Sequence, residues 1–191
     1  MTPARWSARG ETGARESGPL SPGIDWRGPR VDDPEILGEL PASLREVIDP
    51  PGGFRRWQGG LHVRGACLAP EWNSLRAAWK GPSALRTLFP EVGADDIPFA
   101  QTALGDQWLL RGHAVLRLEA ASARIEDPGV SLGGFLRAVE DDAVGFLGLE
   151  RLVVFLASGA TLAPGDLLEE RGEGLAPGPA PEVLARLAGV R

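Results

Sequence analysis

The side chains that could ligate a soft metal ion are few and are poorly spaced for that task. His62, Cys67 and His113 are the only imidazoles and the only thiol in the 191-residue chain. No two of them share the helical i, i+3 or i, i+4 spacing, or the CxxC spacing, that directs two donors at one ion. We therefore expect no metal site and no cofactor, and we place these three residues in loops and at strand ends.

Five carboxylates form the other group with chemical potential. Asp95, Asp96, Asp106, Glu119 and Glu126 could together hold Mg²⁺ or supply an acid/base pair, although their spacing does not require it. An Asp that follows Gly at a turn commonly caps the backbone through its own carboxylate, and we expect this of Asp106. We interpret the acids as a negative surface that steers a basic protein partner. A metal-dependent hydrolase built from the same acids is the alternative.

Sequence motifs of other enzyme classes do not occur. No serine lies in a nucleophile elbow, and there is no GxxxxGK[ST] phosphate loop and no GxGxxG dinucleotide motif. Trp57, Trp72, Trp79 and Trp108 could stack on a ligand, but their helical or strand spacing favours core packing for most of them. Residue chemistry alone leads only to a soluble domain of mixed α and β structure.

Charge and composition restrict the partner. The chain carries a net charge of −6, and residues 1–30 hold five Arg and three acids, which leaves −8 for the remainder. An acidic body disfavours nucleic-acid binding, which needs Lys and Arg to displace phosphate counterions, and suits a basic partner. The single cysteine excludes an internal disulfide, and the sequence predicts neither a signal peptide nor a membrane-spanning segment. We expect no membrane association and a cytoplasmic location.

The elements that position these acids centre on residues 97–119, the clearest strand signal in the chain. An X-Pro step opens a strand, the chain turns at Gly105 and Asp106, and a β-hairpin returns through residues 114–118. The sequence does not determine the register of the hairpin. A two-residue loop at Arg111 and Gly112 and a three-residue loop ending at His113 bury different side chains.

Helical periodicity appears on both sides of this stretch. Apolar spacing predicts helices at about residues 41–48 and 72–79, and one that starts at Ser131 and carries an apolar stripe to Leu147. Residues 149–156 fit either a further helix or a buried strand. A Gly- and Pro-rich link follows Pro164 and leads to a last helix that begins at Pro181.

Three segments follow from this pattern. Residues 1–30 mix Arg, Gly, Ser and Pro without periodicity, which predicts a disordered tail. Residues 31–168 form the folded domain, and residues 169–191 form a Pro/Gly link and a C-terminal helix.

The order of the elements resembles the Smi1/Knr4 (SUKH) superfamily. LPASLREV (residues 40–47) followed by Gly52 and Gly53 is similar to the family's opening LP-helix-GG. PFA (98–100), GDQWLL (105–110) and the return strand resemble its central block, and SLGGFL (131–136) and LAPGDLL (162–168) resemble its closing helix and tail. The resemblance covers about residues 34–168. Pro50 and Pro51 depart from the family pattern.

The resemblance implies an α+β domain with a mostly antiparallel, curved sheet flanked by helices, which acts as a protein-binding module. Many bacterial members are implicated as immunity proteins that neutralise a cognate polymorphic toxin by direct binding, and eukaryotic relatives are regulatory hubs. The family has no catalytic residues to carry over. Gly105 and Asp106 match its most recurrent motif, a turn that holds the hairpin in place.

These arguments predict a non-enzymatic, cytoplasmic bacterial immunity protein that masks a basic toxin domain. A regulatory scaffold unrelated to toxins is the main alternative. We assign partner binding to one surface with exposed aromatic side chains on the sheet, formed by Asp95, Asp96, Gln101, Asp106 and Trp108.

Overall fold

A seven-stranded antiparallel sheet forms the centre of the computed structural model, which describes residues 23–49, 52–172 and 174–189. The strands follow chain order across the sheet. They are Ile24–Arg27 (β1), Phe54–Arg56 (β2), Leu61–Val63 (β3), Ile97–Thr102 (β4), Gln107–Arg111 (β5), Ala114–Glu119 (β6) and Arg124–Ser131 (β7). The sheet is open, so β1 and β7 are its edges.

Helices and a small second sheet surround this centre. The helices are Pro34–Glu39 (α1), Ala42–Ile48 (α2), Leu75–Lys80 (α3), Leu85–Leu88 (α4), Leu132–Asp141 (α5), Ala143–Leu147 (α6), Glu150–Ala157 (α7) and Ala180–Gly189 (α8). The second sheet pairs Asp166–Arg171 (β8) with Gly174–Pro179 (β9). The predicted α+β class, with a mostly antiparallel sheet flanked by helices, is confirmed.

Both faces of the sheet are covered by apolar side chains. Because successive strand residues point to opposite faces, Trp108 and Leu110 of β5 join one core while Leu109 joins another. The first core packs against α1, α2, α3, α5, α6 and α7, and the second packs against α4, β8 and α8. The C-terminal elements therefore belong to the folded domain.

The predicted disordered tail is wrong for its last part. Ile24–Arg27 pairs with β2 as an edge strand, and the Trp26 ring packs against Trp72 with centroids 4.6 Å apart. This packing supplies the apolar burial that composition alone did not indicate. Residues 1–22, the rest of the predicted tail, lie outside the described residues.

The predicted Pro/Gly link is also wrong, since β8 and β9 form a hairpin there. Leu167 and Leu168 are buried, and the Leu168 N–H donates to the Ala103 carbonyl at 2.7 Å. The prolines of this segment lie in β9, which pairs only with β8, and an edge strand tolerates the missing N–H donors. The last helix spans Ala180–Gly189, close to the start predicted at Pro181.

Two further predictions are refined by the structure. The stripe from Ser131 to Leu147 forms two helices, α5 and α6, because Asp142 breaks the run and its side chain caps Gly145 N at 2.9 Å. The segment 149–156, left open between helix and strand, is helical: Leu149 is the N-cap of α7, and residues 150–156 lie in the helix.

The register of the central hairpin differs from both alternatives. Arg111 pairs with Ala114, so the loop consists of Gly112 and His113. Gly112 has φ +60°, a left-handed conformation that glycine adopts readily.

Among the described residues, no helix is long and apolar enough to cross a membrane.

The turn between β4 and β5 yields a test of the fold. Gly105 has φ +90°, and a Cβ placed there would lie 3.1 Å from Leu187 of α8. We expect Gly105→Ala to lower the free energy of unfolding by about 1–3 kcal/mol, because the backbone conformation is strained for alanine and the Leu187 side chain must shift.

Gly112→Ala is the matched control, since Gly112 also has positive φ but no atom lies within 4 Å of its Cβ position. Urea denaturation of both variants measures the difference. A loss at Gly105 no larger than that at Gly112 would show that the turn does not pack tightly on α8.

Candidate functional site

The structure separates the acids that the sequence grouped. Asp95 and Asp96 immediately precede β4, whereas Asp106 lies in the turn that follows it. A six-residue strand at 3.3 Å per residue places the two ends roughly 20 Å apart. The predicted continuous acidic surface is therefore wrong.

Asp96 acts as an internal ion-pair partner. Its side chain is 2% exposed, and both carboxylate oxygens accept from Arg111, Oδ1 from Nε and Oδ2 from Nη2, each at 2.7 Å. The Gly93 N–H also donates to Oδ2 at 2.7 Å. The carboxylate raises the pKa of the Arg111 guanidinium. The interaction ties the start of β4 to the end of β5, and leaves the neighbouring Asp95 as the exposed acid.

Asp106 has a similar role at the opposite end of the hairpin. It is 7% exposed, and its Oδ1 accepts from the Ala120 N–H at 3.0 Å. Its Oδ2 accepts from Arg117 Nη2 at 2.6 Å and from Nε at 3.2 Å. These bonds join the β4–β5 turn to the end of β6. The carboxylate therefore bonds a backbone N–H as expected, but that N–H belongs to a residue 14 positions away and not to its own turn.

The remaining predicted contact residues are buried as well. Gln101 is 4% exposed and Trp108 is 1% exposed, so neither presents the exposed surface that was predicted. Of the five residues assigned to partner binding, Asp95 alone is exposed.

A buried guanidinium organises the polar groups behind the sheet. Arg64, 3% exposed, donates from Nη1 to the Pro98 carbonyl and from Nη2 to Oε1 of both Gln101 and Gln107, each at 2.7 Å. No carboxylate of the described residues lies within 4 Å of its nitrogens. Burial lowers the pKa of Arg64 to about 10, so the side chain remains a cation at neutral pH.

This cation fixes the proton positions along the network. Because Oε1 of Gln101 faces Arg64, its Nε2 faces His62 Nδ1 at 3.3 Å, and Nδ1 accepts. The Nε2–H of His62 then donates to Asn73 Oδ1 at 2.8 Å. Burial, followed by the charge of Arg64, lowers the pKa of His62 to about 3. His62 is thus a neutral, structural histidine.

The network ends at the single cysteine. Asn73 Nδ2 donates to the Gly52 carbonyl and to Cys67 Sγ, each at 3.1 Å. Burial raises the pKa of the Cys67 thiol, which keeps it protonated. His113 lies apart from both, in the exposed hairpin loop. Within the described residues no three His, Cys, Asp or Glu side chains are placed to hold a metal ion.

The buried network leaves little room for a ligand. The cavity beside it has a volume of about 10 Å³ and is lined in part by Arg55, His62, Trp72 and Thr102. That volume holds about one water molecule. The network therefore stabilises the fold.

An open cleft of about 440 Å³ lies on the other face of the sheet. It is lined by Trp108, Arg117, Glu126, Asp127, Pro128, Gly145 and Phe146. The cleft thus lies between the edge strand β7 and helix α6 and is open to solvent.

A bulge in β7 forms one wall of the cleft. Val130 pairs with Val115 and Glu126 pairs with Arg117, so residues 127–129 face a single residue of β6. Asp127 Oδ1 accepts from the Gly129 N–H at 2.7 Å, and Gly129 has φ +72°. Bulges bend a strand and redirect its side chains. This bulge places Asp127 and Pro128 beside the cleft.

Aromatic side chains form the floor. Phe146 of α6 stacks on Trp108 with ring centroids 5.3 Å apart and an interplanar angle of 13°. Phe135 of α5 packs against Trp108 at 4.9 Å and fixes it from within the core. The Nε1–H of Trp108 is buried and has no hydrogen-bond partner among the described residues.

The rim of the cleft carries both signs of charge with an excess of acid. Arg117 directs Nε and Nη2 at Asp106, so its charge is balanced internally. Glu126 pairs with the exposed Arg124 at 2.6 Å. Asp127 is exposed and makes no ion pair with a described residue. The cleft is therefore an aromatic surface with a negative rim.

Sequence reasoning located only part of this site. It assigned Trp108 to partner binding but did not identify the bulge at residues 127–129 within β7. The predicted apolar stripe from Ser131 to Leu147 includes Phe146, but its position at the cleft was not predicted. The signal for the site was a Pro-Gly bulge sequence inside a strand, immediately after the hairpin.

Comparisons of this chain with protein-family models and with curated proteins found no match.

The low pKa of His62 predicts a pH dependence of stability. The unfolded chain binds a proton at His62 near pH 6.5, whereas the folded state does so only near pH 3. Acidification through this window therefore favours unfolding, by up to about 1.4 kcal/mol per pH unit from this group. NMR of the imidazole should show no protonation of folded His62 above pH 4. Titration near its ordinary pKa would contradict the buried neutral assignment.

The buried Arg64 predicts a large mutational effect. We expect Arg64→Met to lower the free energy of unfolding by about 3–5 kcal/mol, because three buried oxygens lose their donor. Arg86→Met, which removes an exposed charge on α4, should change it by less than about 0.5 kcal/mol. Urea denaturation of both variants gives the comparison. Equal effects would mean that Arg64 does not organise the network.

Proposed function

We propose that this chain is a non-enzymatic protein-binding module whose partner docks at the cleft between β7 and α6. The observation that supports this most directly is the partly exposed ring of Phe146, stacked on the buried Trp108 and surrounded by a charged rim. Protein interfaces combine an aromatic centre with a polar rim.

The rigidity of the cleft also supports docking. Phe135 and the first core hold Trp108 from behind, and the Asp106–Arg117 pair anchors β6 beside it. A surface that is fixed before binding loses little conformational entropy when a partner arrives. The cleft lies at an edge of the open sheet, where a partner chain has access.

Within this proposal, the specific role is that of a bacterial immunity protein that neutralises a cognate toxin by direct binding in the cytoplasm. The resemblance of residues 34–168 to the Smi1/Knr4 superfamily supports it. The charge of −8 outside residues 1–30 supports it as well, because it suits a basic toxin domain.

The first test is affinity capture from the native host with the tagged full chain, followed by mass spectrometry. We expect one polypeptide in near-equal amount, whose expression alone arrests growth and whose co-expression with this chain restores it. Pro128→Trp should abolish capture, because it adds a large side chain to an exposed wall of the cleft. Ser43→Trp adds the same bulk at an exposed position on α2 and should capture normally.

Each other outcome has a defined meaning. A stoichiometric partner that does not affect growth would replace the immunity role with that of a regulatory scaffold. Capture that survives Pro128→Trp would move the interface away from the cleft. No stoichiometric partner from a folded bait would overturn the protein-binding proposal.

A further inference from the structure

We infer that the cleft receives an arginine side chain of the partner protein. This inference rests on the proposed function and specifies the chemistry of what docks there. It follows from two features of the cleft: the aromatic wall and the charge of the rim.

The aromatic wall favours a cation with a flat, weakly hydrated surface. Phe146 lines the cleft and is backed by Trp108, stacked at an interplanar angle of 13°. A cation over an aromatic ring contributes about 0.5–2 kcal/mol, with the larger value where water is excluded. The guanidinium of arginine is planar and stacks on such rings, whereas the ammonium of lysine is compact and strongly hydrated.

The rim supplies carboxylates to the same occupant. Asp127 uses Oδ1 for the Gly129 N–H and makes no ion pair with a described residue. Glu126 pairs with Arg124, but that side chain is 68% exposed, and exposed pairs contribute little and exchange readily. A guanidinium can bond a carboxylate through two parallel N–H groups, which adds geometric specificity.

An anionic occupant is disfavoured by the geometry of the one guanidinium in the cleft. Arg117 directs two of its nitrogens at Asp106, with the shorter distance 2.6 Å. An anion would have to compete with that carboxylate and would face Glu126 and Asp127 across the cleft. The repulsion between like charges would oppose binding.

The probe for this inference is a blocked Gly-Arg-Gly peptide, titrated into the ¹⁵N-labelled full chain and followed by NMR. We expect the indole resonance of Trp108 and the amide resonances of α6 to shift, with a Kd of about 1 mM. The same peptide with citrulline, which has the shape of arginine without its charge, should leave them unchanged. The lysine peptide should bind at least threefold more weakly.

The charge of the rim is tested with a double variant and its matched control. Glu126→Gln with Asp127→Asn removes both carboxylates but keeps an acceptor oxygen for the Gly129 N–H, and should weaken peptide binding at least tenfold. Glu46→Gln with Asp49→Asn removes two exposed acids at α2, which does not line the cleft, and should bind like the unmodified chain.

These results separate this inference from the proposed function. The inference is overturned if the Trp108 resonance does not move at peptide concentrations of roughly ten times a millimolar Kd, if citrulline or lysine binds equally well, or if both double variants respond alike. Capture of a protein partner by the Glu126→Gln, Asp127→Asn variant with unchanged affinity would also reject the arginine site, while leaving the protein-binding function intact. Binding of the arginine peptide without any captured partner would support an arginine-binding cleft and reject the protein-binding function.

Discussion

The hydrogen bonds of the buried Arg64 guanidinium are the interactions on which the arrangement of the central strands depends. A charge in the interior without a carboxylate is tolerated only where oxygen acceptors surround it, and Arg64 meets a carbonyl and two amide oxygens. These acceptors belong to β4 and β5, so one side chain at the end of β3 fixes the position of both strands. His62 and Asn73 then take the only donor and acceptor roles that this arrangement leaves.

The two faces of the central hairpin differ in their surroundings. The face with Gln107 is filled by polar groups that satisfy one another, and the second core continues beside them. The face with Trp108 carries the stacked aromatic pair to the sheet edge. There the bulge and Pro128 interrupt the outer strand, which protects an open edge from uncontrolled pairing. The same interruption creates the wall of the cleft, so edge protection and the proposed docking site share one local structure.

Period-two alternation and turn residues located the strands of the central hairpin, because they report directly on strands and turns, but they did not fix its register. The α+β class was predicted from the family resemblance. The sequence did not reveal which acidic side chains are exposed. Exposure of Asp96 and Asp106 depends on whether arginines 15 and 11 residues away reach them, and composition does not contain that distance. The same limit applies to the strand at Ile24–Arg27, whose Trp26 packs against Trp72, 46 residues away. The sequence located Trp108 correctly in the sheet. It did not locate the neighbouring Phe146, because the position of that residue depends on the break between α5 and α6.

Hydrogen–deuterium exchange of the full chain, alone and bound to its captured partner, is the most direct measurement of where the partner docks. Docking at the cleft predicts slower exchange in Arg124–Ser131 and Ala143–Leu147, with little change in Ala42–Ile48 on α2. Protection confined to α2, or to the end of the hairpin near Asp95, with β7 and α6 unchanged, would contradict it.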